Sequence, residues 1–102
     1  MRMTKRKPAS VGEVLVEEFM APLDLSQSEL ANAMGVPRRL INELCRNRRS
    51  VTAQTALLLA HIFGNTADFW LNLQKRVDLW EAKNSPELTK RLSKIKPLSK
   101  AA

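Results

Sequence analysis

Arg38, Arg39 and Asn42 follow Pro37 in the stretch SQSELANAMGVPRRLINEL, residues 26–44. Arg38 and Asn42 are four residues apart, so on a helix they share one face. These residue types suit the edges of nucleic-acid bases. Arginine donates two parallel hydrogen bonds to guanine O6 and N7, and asparagine pairs in the same way with adenine N6 and N7. Two cations in the first turn of a helix oppose its dipole, at a cost of about 0.3–1 kcal/mol each. A base contact is worth about 1–3 kcal/mol. The charges are therefore best explained by a partner outside the chain. Gln27 opens the preceding helix, where its amide and the helix N-terminus suit a backbone phosphate. Arg46, Arg48 and Arg49 follow the second helix and suit phosphate clamping. Pro37 belongs to the same contact region, although its first role is to start the helix.

The elements that position these side chains are legible in the spacing. With Gln27 as position one, Ala31 falls at five, Gly35 at nine, Val36 at ten, Ile41 at fifteen and Leu44 at eighteen. A helix-turn-helix needs a small residue at five for close approach, a glycine at nine for the turn, and apolar residues to lock the crossing. The outer face of the second helix then enters the DNA major groove, N-terminal end first. A solvated helix face is the alternative for Arg38 taken alone, and a plain surface polar group for Asn42. The caps, the glycine and the apolar spacings favour the groove.

Helix punctuation continues on both sides. Ser10 with Glu13 and Ser26 with Glu29 are Ser-x-x-Glu capping boxes. They predict helices over residues 10–20 and 26–34. Gly35 ends the second helix, and Pro37 in the first turn opens a third, to Cys45. Thr52 caps a fourth helix over 53–63, closed by Gly64. Thr66 caps a fifth over 67–83, interrupted by Asn84, Ser85 and Pro86. No strand-like alternation and no repeat occurs. The chain is expected to be all-α, a five-helix lambda-repressor-like helix-turn-helix domain. Its expected divisions are a basic arm (1–9), the DNA-binding domain with its last helix for dimerisation (10–83), and a basic tail with at most a short helix (84–102).

Composition agrees with an anionic partner. The 102 residues carry 17 Lys and Arg against 10 Asp and Glu, a net charge of +7, which favours nucleic acid over a membrane surface. The charge is segregated: residues 11–35 hold acids only, whereas residues 36–49 hold five arginines against Glu43. Hydrophobic content of 44% supports a core. A single cysteine, Cys45, forms no intrachain disulfide and suggests a reducing cytoplasm. No apolar run is long enough to span a membrane, and the basic N-terminus lacks the apolar stretch of a secretory signal. His61, the one histidine, reads as a helix-surface residue. No nucleophile–base pair, carboxylate dyad, metal-ligand spacing or phosphate-cradling loop occurs. The chain is therefore not expected to be an enzyme, and no cofactor or metal is expected.

Over residues 10–82 the sequence resembles the HigA antitoxin family. The resemblance rests on VGEVL.EEF..PL.LSQ.ELA, GVPRR.IN and RSVTA.TAL.LA..FG....FWL.LQ...DLW taken together. The FWLNLQ element distinguishes this family from other helix-turn-helix proteins. The resemblance implies an antitoxin that binds and neutralises a HigB-type toxin, an mRNA-cleaving ribonuclease of the RelE type. It further implies a homodimer that represses its own operon at a palindromic operator in double-stranded DNA. A free-standing repressor without a toxin is the alternative, and an interaction module that has lost DNA binding is a third. Leu73, Val77 and Trp80 on the fifth helix are the expected dimer surface, tryptophan being common at interface hot spots. Phe69 and Trp70 are expected in the core. The acidic first helix (Glu13, Glu17, Glu18) and the tail around Leu88, Leu92 and Ile95 are two candidate toxin surfaces. The arm at Arg2, Lys5, Arg6 and Lys7 is expected to be a disordered tail that adds non-specific affinity, with entry into an adjacent minor groove or tracking of phosphates as the alternative.

Overall fold

A computed structural model describes residues 6–98. The described residues hold six helices and no strand. They are α1 (Val11–Val14), which runs on into a π-helical segment (Leu15–Met20), α2 (Gln27–Met34), α3 (Arg38–Cys45), α4 (Ala53–Phe63), α5 (Ala67–Lys83) and α6 (Pro86–Ser93). Arg2 and Lys5 of the basic arm lie outside the described residues.

Both capping boxes form as the sequence requires. Ser10 Oγ accepts from Glu13 N at 3.1 Å while Glu13 Oε1 accepts from Ser10 N at 3.3 Å. Ser26 and Glu29 repeat the exchange at 3.0 and 2.9 Å. Thr52 and Thr66 cap α4 and α5 through Thr55 N and Phe69 N. Gly35 and Gly64 end α2 and α4 in the left-handed conformation, with φ of 70° and 71°. Only a residue without a Cβ adopts that conformation freely.

Two features depart from expectation, and the short tail helix that the sequence allowed is formed. Pro37 is the extended cap residue, with φ −65° and ψ 145°, rather than the first helical residue. The fixed ring angle suits either place, and its extended ψ puts Arg38 and Arg39 at the very start of α3. The tail forms a sixth helix, because Ser85 caps it and Pro86 occupies its first turn. The first helix widens into a π turn, which the 3.6-residue period does not announce. Leu15 and Met20, five residues apart, are both buried, and the Ala21 N–H bonds the Val16 carbonyl five residues back at 2.8 Å. That is the π repeat. Glu13, Glu17 and Glu18 are all exposed on this segment.

Leu15, Leu30, Ile41, Leu44, Leu59 and Trp70 are the largest fully buried side chains. Ala31 and Met34 of α2 and Ile41 and Leu44 of α3 are buried, as the helix-turn-helix spacing requires. Phe19 meets Phe63 at 4.9 Å and Trp70 at 5.0 Å, ring centre to ring centre, and Phe69 packs edge-on to Trp70 at 5.1 Å. The Trp70 indole N–H donates to Asn65 Oδ1 at 2.9 Å. The FW pair thus joins the N-terminal end of α5 to α4 and the π segment, and fixes the scaffold behind the helix-turn-helix.

Candidate nucleic-acid interface

The outer face of the helix-turn-helix is built from two short helices and one connector. α3 starts at Arg38 with no side-chain cap on its first amides. Arg38 and Arg39 are exposed there, beside N–H groups that α3 itself leaves unbonded. That end of a helix attracts anions. Asn42, one turn on, is half-buried and held: its Nδ2 donates to Gln27 Oε1 at 3.1 Å. The contact ties α3 to the first residue of α2. Asn42 Oδ1, the second hydrogen on its Nδ2 and the Gln27 NH₂ stay available for other partners.

The connector after α3 is fixed by a residue the spacing did not single out. Asn47 takes the left-handed conformation, φ 58°, and ends α3 in the position glycine usually fills. The Arg48 N–H bonds the Glu43 carbonyl at 2.8 Å and the Asn47 N–H bonds the Leu44 carbonyl at 3.1 Å, the paired bonds of a Schellman ending. Its side chain then reaches α1. Asn47 Oδ1 accepts from Gly12 N at 2.9 Å, and its Nδ2 donates to Ser10 Oγ at 3.0 Å. A Cβ on Gly12 would stand 2.4 Å from the Cys45 carbonyl oxygen, so α1 approaches the end of α3 as closely as glycine alone permits. From the other side, Gln74 of α5 accepts from the Val51 N–H at 3.0 Å. Arg46, Arg48 and Arg49, all exposed, therefore project from a connector anchored at both ends.

Glu43 is the acid within this basic surface. Its Oε2 accepts from Arg39 Nε at 3.2 Å and its Oε1 from Arg49 Nε at 2.8 Å. The Arg49 hydrogen bond, with a smaller contribution from Arg39, holds the Glu43 carboxyl below the usual carboxylate range against the opposing effect of partial burial. Burial pushes the Cys45 thiol up, and its Sγ faces Met20 Sδ at 3.8 Å, an inert packing role. Among the described residues no group of three or more His, Cys, Asp or Glu could hold a metal ion. No helix there is long and apolar enough to cross a membrane.

The residues expected to pair two chains form a graded stripe. Leu73 is buried in its own core, with 8% of its surface exposed, which leaves little for a partner. Val77 and Trp80 are half-buried. Val77 lines a surface depression together with Lys7, Arg48, Arg49 and Glu81. Lys7 pairs with Glu81 at 3.5 Å and lies 5.9 Å from the Trp80 ring centre.

The match to known proteins follows this geometry. A helix-turn-helix family model covers residues 16–70. The antitoxin HigA-1 of Vibrio cholerae is 49% identical over 84 residues, 82% of this chain and 79% of that protein. The chain belongs to the HigA antitoxin family of helix-turn-helix proteins. The family is one of DNA-binding regulators, not of enzymes. The Pseudomonas aeruginosa antitoxin HigA, solved with the higBA promoter, superimposes with a TM-score of 0.81 at 34% identity, covering 89% of this chain and 98% of that one. An Escherichia coli helix-turn-helix regulator, YbaQ, is 40% identical over 97% of this chain and 88% of its own length. Within the FWLNLQ element, Trp70 and Leu73 are buried and Phe69 packs on Phe19 and Trp70.

Proposed function

We propose that this chain is an antitoxin that represses its own operon. Two copies bind a palindromic operator, each with α3 in the major groove. Arg38, Arg39 and Asn42 meet base edges, while Gln27, Arg46, Arg48 and Arg49 hold phosphates and Pro37 lies against the backbone. The observation that carries this reading is the Asn42–Gln27 bond, which ties α3, with Arg38 and Arg39 exposed in its first turn, to the first residue of α2. It aims a base-reading amide and a phosphate-reading amide at one duplex. A single module reads too few base pairs to be selective, and two half-sites one DNA turn apart supply the rest. Val77 and Trp80 form the pairing surface. Val77 lines the same depression as Arg48 and Arg49, so a partner seated there stands beside the phosphate-facing connector. Repression then follows from occupancy of the promoter by a protein in the cytoplasm.

The second half of the proposal is capture of a HigB-type toxin. The similarity to HigA-1 supports it. A free-standing repressor is the second reading, supported by the YbaQ match over nearly the whole chain. One experiment separates them. The chain is co-expressed with its genomic neighbour, one partner is tagged, and the complex is weighed by light scattering. A stable complex holding two copies of this chain is expected. A neighbour that does not bind, beside a dimer that still holds the operator, would remove the antitoxin claim and leave the repressor.

A further inference from the structure

Glu43 sits in the middle of the face assigned to DNA, one residue past Asn42. A carboxylate there opposes the attraction that every neighbouring charge supplies, and residues 36–49 contain no other acid. Its surroundings are more ordered than those of a chance surface pair. The Glu43 side chain is 22% exposed, against 84% for Arg39 and 46% for Arg49. The acid is the fixed member, and the cations come to it. Each carboxylate oxygen serves a different element. Oε2 takes Arg39 from the first turn of α3, and Oε1 takes both Nε and Nη2 of Arg49 from the connector, at 2.8 and 2.6 Å. Arg39 is engaged through Nε, which leaves the donors of its two NH₂ groups for guanine O6 and N7.

We propose that Glu43 sets the sequence selectivity of this interface, by aiming Arg39 and Arg49 and by opposing duplexes that the aimed arginines do not fit. The proposal rests on the assignment of α3 to the major groove. On an unmatched duplex the protein is held by phosphates alone, and the carboxylate subtracts from that attraction. On a matched duplex the same carboxylate holds the two guanidinium groups in the geometry that the bases and phosphates require, which offsets its repulsion. Glu43 touches no base in this scheme. It is a positioning residue acting through Arg39 and Arg49.

The test uses the full chain. The wild type first selects duplexes from a random-sequence pool. Affinity for the selected duplex and for a scrambled duplex of the same composition is then measured over a range of salt. Glu43→Gln keeps the size and removes the charge. It is expected to bind the scrambled duplex about 5- to 10-fold more tightly, with a salt slope steeper by about one counterion. Affinity for the selected duplex should not rise by the same factor, so the ratio of the two falls about tenfold. Glu17→Gln, the same charge change on the π segment, should leave the ratio unchanged. Glu43→Asp keeps the charge but withdraws it by one methylene. It should lower affinity for the selected duplex without raising it for the scrambled one, and it serves equally if Glu43→Gln proves unstable to heat. Equal changes on both duplexes for Glu43→Gln, or an equal loss of ratio in Glu17→Gln, would overturn the proposal while leaving the DNA assignment intact. A wild type that enriches no duplex would instead defeat the DNA assignment itself.

Discussion

The Asn42 amide donates to the Gln27 amide across 3.1 Å, so α3 is held by the first residue of α2. Under the proposed function, this one hydrogen bond links a base-reading residue to a phosphate-reading one. Gln27→Ala should weaken operator binding about 5- to 30-fold, because a phosphate contact is lost and Asn42 is released at once. The coupled part is measurable. In a cycle of Gln27→Ala, Asn42→Ala and the double variant, a coupling of about 0.5–1.5 kcal/mol is expected. Additive losses would mean that the two amides act separately on the DNA.

The close approach of α1 to the end of α3 gives a stability prediction. Gly12→Ala places a methyl group 2.4 Å from a backbone oxygen, and backbone does not yield as a flexible side chain does. Overpacking of this kind costs about 1–3 kcal/mol. The change also strains the Asn47 bonds to Gly12 and Ser10 that hold the arginine-bearing connector. A urea titration should show a lower midpoint at unchanged slope. A midpoint within error of the wild type would show that the two helices separate at little cost.

Much of this was legible in the sequence, and the reason is local chemistry. Ser10, Ser26, Thr52 and Thr66 cap helices through bonds to residues three positions away. Gly35 and Gly64 mark turns whose backbone needs no distant partner. Asn47 was not legible, because an asparagine in a polar connector gains meaning only from Ser10 and Gly12, some 35 residues earlier. Glu43 was visible only as one acid among arginines. Which arginines it holds depends on how the chain turns after α3. Leu73 shows the opposite limit. Its stripe with Val77 and Trp80 was plain, yet which end of a stripe faces the core is decided by neighbouring elements.

Acid should unfasten the second capping box. The backbone bond from Ser26, and then its hydroxyl, lower the Glu29 carboxyl from its ordinary value. A carboxyl whose folded value is depressed contributes stability that is fully present above its unfolded value. That contribution is lost as pH falls through the folded value. The protein should therefore lose stability below the ordinary carboxylate range, with Glu29 and Glu43 both contributing. Glu29→Gln should shallow that decline in melting temperature between neutral pH and pH of about 3, while a Gln at this place still closes a capping box. An identical acid profile in the variant would remove Glu29 from the account.

The last prediction concerns pairing. Trp80 presents a half-buried indole whose Nε1 is buried without a hydrogen-bond partner in the single chain, and an unmet buried donor costs about 1–3 kcal/mol. A second chain seated on the exposed part of the ring would take that apolar surface out of water. Trp80→Ala should therefore shift the chain from dimer toward monomer in light scattering. Trp70, not Trp80, anchors α5 to the core, so the helical signal of the monomer should persist. The same variant should bind a half-site duplex about as well as the wild type does. It should lose the extra affinity that a second half-site provides, because two separate monomers each carry the full cost of association. A Trp80→Ala chain that stays dimeric and keeps its preference for the full palindrome would move the pairing surface elsewhere on the molecule.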